Sequence, residues 1–177
     1  MTDKPRLLDL YCCAGGAAVG YHRAGFDIVG VDIAFQKNYP YEFHQADALA
    51  YVAEHGHEFD AIHASPPCQH YSTLTRGNRG RGETRDHPDL VAPTRDALDA
   101  TGRPYVIENV TSAPLRPDVT LCGLMFGLKV FRHRIFETGG WSATAPEHPT
   151  HRGHRVAGWR HGKHHEGCLL YTSDAAD

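Results

Sequence analysis

No stretch of this sequence stays apolar for the roughly 20 residues that a helix needs to cross a bilayer. Runs such as residues 105–110 are far shorter. No apolar signal region precedes the first strand-like segment, so a cytoplasmic location is the default expectation. No CxxC pair occurs among the five cysteines, Cys12, Cys13, Cys68, Cys122 and Cys168. An odd, irregularly spaced set argues against a disulfide framework and gives a structural zinc site little support. Positive charge is not in surplus either: 18 Lys and Arg face 21 Asp and Glu, for a net charge of −3. A nucleic-acid partner would therefore have to meet a local basic patch, because the net charge supplies no attraction. There is no internal repeat. No GxGxxG fingerprint is present, which makes a nicotinamide dinucleotide a poor fit.

What the sequence does contain is alternation. Residues 6–11 read as a buried strand, with Leu7, Leu8 and Leu10 around Asp9. A turn of small residues follows, and then a helix over 17–24 that Gly25 stops. Strands are expected at 27–33, 41–45, 60–64, 104–108 and 134–137, with helices at 48–54 and 88–100. Strands alternating with helices across short turns predict an α/β fold with a mostly parallel sheet, in one domain. Ligands in such sheets bind beyond the carboxyl ends of the strands. Residues 11–16, 32, 47, 65–68 and 108 all fall there and should converge on one edge.

Four constellations at that edge carry chemistry. The turn Cys12-Cys13-Ala14-Gly15-Gly16, with Asp32 at the end of the next strand, suits a nucleotide-type ligand. Small residues admit close backbone approach, and the acid can accept bonds from ribose hydroxyls; a tight turn with no ligand is the plain alternative. In Ser65-Pro66-Pro67-Cys68-Gln69, two prolines fix the backbone and present a cysteine rigidly at a strand end. Its thiolate would be a nucleophile, whereas an isolated cysteine is more often a small buried hydrophobe. Glu108-Asn109-Val110 places a carboxyl at a sheet edge, where it can share a proton with a ring nitrogen or merely cap a turn. Arg132 and Arg134, two apart on a strand, face one way and can grip a phosphate or a carbonyl, or form a solvated basic face. Residues 76–85 add Arg76, Arg79, Arg81 and Arg85 among glycines; the segment cannot build a core and reads as a mobile loop.

Taken in this order, the motifs resemble those of DNA cytosine-C5 methyltransferases. Asp9-Leu10-Tyr11-Cys12-Cys13-Ala14-Gly15-Gly16 is similar to the family's first S-adenosylmethionine motif, with Tyr11 at its aromatic position. Asp32 matches the ribose-binding acid and Asp47 the residue that meets the adenine amino group. Pro66-Pro67-Cys68-Gln69 matches the catalytic PCQ motif, Glu108-Asn109-Val110 matches ENV, and Arg132 and Arg134 match the arginines of QxRxR. The resemblance covers about residues 6–138. It implies a Rossmann-like methyltransferase fold, S-adenosylmethionine as cofactor and duplex DNA as partner. It implies Cys68, Glu108, Arg134 and Arg132 as catalytic residues. The cofactor site would comprise Tyr11, Ala14, Gly15, Gly16, Asp32, Ile33, Asp47, Ala48 and Pro67. Cys13 stands where the motif has glycine, and Val130 where QxRxR has glutamine.

After Gly139 the composition turns rich in His and Arg and poor in apolar residues, and the last ten residues share nothing with that run. The expected division is therefore a catalytic domain at 1–138, a partial basic recognition region at 139–167 and a non-native tail at 168–177. Only about forty residues follow Arg134, where the family continues through a recognition region and two more motifs. A monomer is expected and no metal is assigned. Three other readings stand beside the main one. They are an inactive fragment that binds cofactor or DNA, an RNA cytosine-C5 methyltransferase, and a metal-binding protein using the histidines between His148 and His165.

Overall fold

A computed structural model describes residues 4–71 and 88–152, together with the backbone of 158–160 and 163–165. Strand β1 (Arg6–Leu10) leads through the small-residue turn into helix α1 (Gly16–Arg23). Then follow β2 (Asp27–Asp32), β3 (Glu42–Gln45), α2 (Ala48–His55), β4 (Ala61–Ala64), α3 (Val91–Thr101) and β5 (Tyr105–Asn109). Strands β6 (Val119–Cys122) and β7 (His133–Gly139) complete a seven-stranded sheet in the order β3-β2-β1-β4-β5-β7-β6. The first five strands are parallel, and β7 runs antiparallel to both β5 and β6. A short antiparallel pair, β8 (Gly158–Arg160) and β9 (Lys163–His165), follows.

The α/β class and mostly parallel sheet are thus as expected, and the strand order is that of a Rossmann-like methyltransferase fold. The differences are local. Helix α3 begins at Val91 rather than residue 88, with Pro93 in its first turn, where no intrahelical N–H partner is lost. Strand β7 is longer than the expected 134–137, and β6 had no clear signal in the sequence.

Strand alternation divides the core between the two faces of the sheet. Leu8, Leu10, Val29, Val31, Ile62 and Ala64 share one face with Val52 of α2 and Val91 and Leu98 of α3. Leu7 and Ile28 pack on the other with Ala18 of α1 and Tyr39. A side chain at Gly30 would meet the Tyr39 ring at 2.2 Å, so this glycine lets the ring lie flat on the sheet. From there the Tyr39 hydroxyl donates to Asp9 Oδ2 at 3.2 Å. Asp9 is buried, and burial first, then the Asp32 charge, pushes its carboxyl up to about 7 despite that hydrogen bond. Across the β1–β4 pairing Asp9 faces His63, another buried group. His63 lies between the Tyr21 hydroxyl at 3.1 Å and Ser65 Oγ at 2.8 Å. Burial holds it down to about 4.

Candidate active site

The turn after β1 is built on three residues with positive φ: Tyr11 (57°), Cys13 (45°) and Gly15 (83°). Only Gly15 tolerates that conformation without strain. A Cβ there would also meet Pro40 at 2.9 Å and Tyr39 at 3.1 Å, whereas one at Gly16 would meet nothing within 4 Å. The backbone at Gly16 therefore faces open space as α1 begins. Tyr11 is tied back to α3 by a 2.9 Å bond between its hydroxyl and Thr94 Oγ1.

Asp32 closes the other side of this turn. Its Oδ2 accepts from the Cys13 amide and its Oδ1 from the Ala34 amide, both at 3.0 Å. The carboxylate is thereby fixed at the C-terminal edge of β2. Beside it, Ile33 and Phe35 are each 71% exposed, an unusual display of large apolar side chains at a strand end. Asp47 caps α2, accepting from the Ala50 amide at 2.9 Å. Ala14 is exposed, but the methyl of Ala48 is buried in the core, so Ala48 can offer a ligand only its backbone.

The Pro66-Pro67-Cys68 loop leaves β4 beside β1, where the Ser65 amide donates to the Leu10 carbonyl at 3.2 Å. Its far end is closed by the Tyr71 amide, which donates to the Cys68 carbonyl at 2.9 Å. Asn109 pins the middle. Its buried Nδ2 donates to the Pro66 carbonyl at 2.8 Å while its Oδ1 accepts from the Val110 amide at 2.8 Å. Cys68 is half-buried. Gln69 buries its amide oxygen with no hydrogen-bond partner among the described residues. The Tyr71 hydroxyl donates to Asp89, which ties the two ends of the segment 72–87 together. Arg76, Arg79, Arg81 and Arg85 belong to that segment and lie outside the described residues.

Glu108 sits on β5, the strand next to β4, one residue before Asn109. Arg134 reaches it from β7, with Nε 2.6 Å from Glu108 Oε1. Both side chains are about one-fifth exposed, so the pair opens towards solvent. Arg132 is half-buried and precedes β7 rather than lying within it, which leaves only Arg134 oriented by the sheet.

The structure therefore brings Tyr11, Ala14, Gly15, Gly16, Asp32, Ile33 and Asp47 to one end of the sheet, and Pro67, Cys68, Glu108 and Arg134 beside them. Two groups that frame this edge had no sequence signal of their own. The Asn109–Pro66 bond is one. The other is Glu137, almost fully buried, which holds Arg95 through bonds of 2.6 and 2.8 Å and the Arg116 amide at 2.8 Å. Those bonds keep its carboxyl below the usual glutamate range against the opposing effect of burial. Among the described residues no helix is long and apolar enough to cross a membrane.

The model of the C-5 cytosine-specific DNA methylase family matches residues 5–113, more than half of the chain. The Type II methyltransferase M.HgiDI of Herpetosiphon aurantiacus is 29% identical over 126 residues, 62% of this chain and 38% of the relative. M.HgiGI of the same organism is 28% identical over 126 residues, 62% of this chain and 94% of the relative. The chain thus spans well under half the length of the first of these proteins. Among solved structures, a SAM-dependent methyltransferase from Agrobacterium tumefaciens is 14% identical with a TM-score of 0.43, covering 63% of this chain and 40% of that one. A conserved hypothetical protein from Streptococcus pyogenes is 15% identical with a TM-score of 0.48, covering 80% and 89%.

Proposed function

The chain belongs to the C-5 cytosine-specific DNA methylase family, and from that premise we propose that it transfers a methyl group from S-adenosylmethionine to C5 of cytosine in duplex DNA, with Cys68 as nucleophile. The observation that carries this reading is the joining of the Cys68 loop to β5 by Asn109, beside a Glu108–Arg134 pair that opens to solvent.

The cofactor fits the first half of the edge. Asp32 is oriented by two amides and keeps lone pairs for ribose hydroxyls. Ile33 offers its exposed side chain to an adenine face, and Asp47 lies nearby for the amino group. The open backbone at Gly16 leaves room for the amino-acid end, with Tyr11, Ala14, Gly15 and Pro67 assigned to that side and Ala48, next to Asp47, to the adenine side. Bound there, S-adenosylmethionine supplies an electrophilic methyl group.

Cytosine in a duplex hides C5 and C6 in the stack, so the base must first be flipped out, at a cost of a few kcal/mol. Cys68 as thiolate then adds to C6, and C5 becomes nucleophilic. Glu108 protonates or hydrogen-bonds N3 as charge develops on the ring, and Arg134 donates to the exocyclic O2 on the neighbouring C2. The 2.6 Å contact between Arg134 Nε and Glu108 Oε1 supports this reading, because N3 and O2 are neighbours on the base. Arg132 braces the pocket or a phosphate. Once C5 carries the methyl group, a solvent base takes the C5 proton and the C6–S bond breaks, so that Cys68 leaves as thiolate and the C5–C6 double bond re-forms. Arg76, Arg79, Arg81 and Arg85 follow the nucleophile in sequence and supply phosphate contacts, and residues 139–167 form part of the recognition region.

The test is to incubate the chain with methyl-labelled S-adenosylmethionine and mixed-sequence duplex DNA and to identify the labelled nucleoside. Label in 5-methylcytosine is the expected result. Cys68→Ala should abolish it and leave cofactor binding intact by calorimetry. Glu108→Gln should slow it by about 100-fold or more with little change in DNA affinity. Turnover in Cys68→Ala would remove the nucleophile. Label found in transfer RNA but not in DNA would move the substrate to RNA. Cofactor binding without any label would mark the chain as an inactive piece.

A further inference from the structure

Strands β6 and β7 pair antiparallel with Cys122 directly opposite His133. Directly opposed residues project from the same face of the sheet. Beyond β7 the chain returns to that face, and His148 and His151 meet the pair. One donor atom from each of Cys122, His133, His148 and His151 lies within 4.8 Å of the other three. His133 Nε2 is 3.1 Å from His148 Nε2, and Cys122 Sγ is 3.6 Å from His151 Nε2. The three imidazole centroids are 5.1–5.2 Å apart, and the Phe131 ring stacks on His151 at 4.6 Å to wall one side.

We propose that Cys122, His133, His148 and His151 form a structural zinc site. Zinc bonds of about 2.0–2.1 Å to nitrogen and 2.3 Å to sulfur place tetrahedral ligand atoms about 3.3–3.6 Å apart. The separations of 3.1 and 3.6 Å lie within about 0.2 Å of those edges. The widest closes with about an ångström of side-chain movement, within reach of small χ rotations. Three imidazoles and a thiolate with no carboxylate select zinc over magnesium or calcium. Four protein ligands leave no open position, so the site is built to hold structure rather than to activate water. Hydrogen bonding alone would satisfy these groups in pairs; it does not require four donor atoms to converge on one centre.

The position gives the metal a task. His133 lies between Arg132 and Arg134 in sequence, and its side chain points from β7 away from the face that carries Arg134 and Glu108. The Arg134 Nη1 donates to the His133 carbonyl at 3.1 Å. A zinc ion there would pin the start of β7, the end of β6 and residues 147–152 together, immediately behind Arg134. The inference rests on the cluster and not on the methyltransferase reading.

The test uses the full chain, expressed with zinc and purified in a reductant that does not chelate. Elemental analysis should find zinc equimolar with protein after gel filtration. Replacing zinc by cobalt(II) should give the intense ligand-field bands of a tetrahedral site and a thiolate-to-cobalt charge-transfer band. His148 is exposed, so His148→Ala should keep the fold. It should weaken zinc binding by at least about 100-fold, since even partners one step removed from a metal cost 10–100-fold. Cys122→Ser should lose the charge-transfer band. Should that variant fail to fold, His148→Ala/His151→Ala is the measure, expected to lose the metal and the chelator-induced fall in melting temperature. Substoichiometric zinc, an octahedral cobalt spectrum without the thiolate band, or equal metal content in the double variant would each overturn the proposal.

Discussion

At Cys13 a side chain occupies a backbone conformation that suits glycine, with φ at 45°. The left-handed region costs an ordinary residue about 1–2 kcal/mol. The strain is retained because the Cys13 amide, not its side chain, orients Asp32. Cys13 is exposed, so its thiol fills no gap in the core. Cys13→Gly keeps the amide and removes the strain, at the cost of extra freedom in the unfolded chain. The expected net is a gain of about 0.5–1 kcal/mol by urea denaturation, with cofactor affinity preserved by calorimetry. A loss of stability would mean that the thiol has a role in the turn.

At the scale of elements, β7 is the piece on which the site most depends, because it carries Arg134 to Glu108. It is held from behind by Glu137, whose carboxylate takes Arg95 of α3 and the Arg116 amide. Breaking a buried pair from one side leaves a charge without its partner and typically costs 3–5 kcal/mol. Arg95 keeps 27% of its side chain exposed, and the Arg116 guanidinium remains 3.7 Å from Glu137, so part of that cost is screened. Arg95→Met should therefore cost about 2–3 kcal/mol near neutral pH, and adding Glu137→Leu should recover most of it. Equal stability of Arg95→Met and the parent in urea would show that the pair does not hold the strand. None of this was legible in the sequence, for a physical reason. The parallel strands announce themselves by local apolar runs, and the Pro66-Pro67-Cys68 loop by adjacent residues. Both reach the reader within ten positions. The grip of Glu137 on Arg95, of Asn109 on Pro66 and of Cys122 opposite His133 each needs the register of strands far apart in the chain. Strand β6 was missed for the related reason that only Val119 and Cys122 of its four residues are buried, too short an alternation to stand out from a loop.

Across the whole molecule, two buried neighbours contribute to the pH response with opposite signs. Asp9 has a folded value of about 7, against about 3.9 in an unfolded chain. Between those values the folded state keeps a proton that the unfolded state has released, so stability falls as pH rises through the window. His63 has a folded value of about 4, against about 6.5 unfolded. There the unfolded state takes up a proton that the folded state refuses, so stability falls as pH drops from 6.5 towards 4. Each effect is on the order of 3–4 kcal/mol at full extent. Over pH 4–6.5 they largely cancel, and the parent protein should show little net slope from this pair. Single substitutions uncover the halves. In Asp9→Asn the His63 term stands alone, and stability should rise more steeply with pH between 4 and 6.5 than in the parent. In His63→Gln, which can still bond Tyr21 and Ser65, the Asp9 term stands alone, and stability should fall between pH 4 and 6.5 relative to the parent. Differences from the parent at each pH, taken from urea melts, remove the contribution of exposed carboxylates common to all three. Were the two groups instead ionised as a buried aspartate–imidazolium pair, Asp9 would be depressed and His63 raised. Both differences would then reverse sign, which makes the direction of either slope decisive.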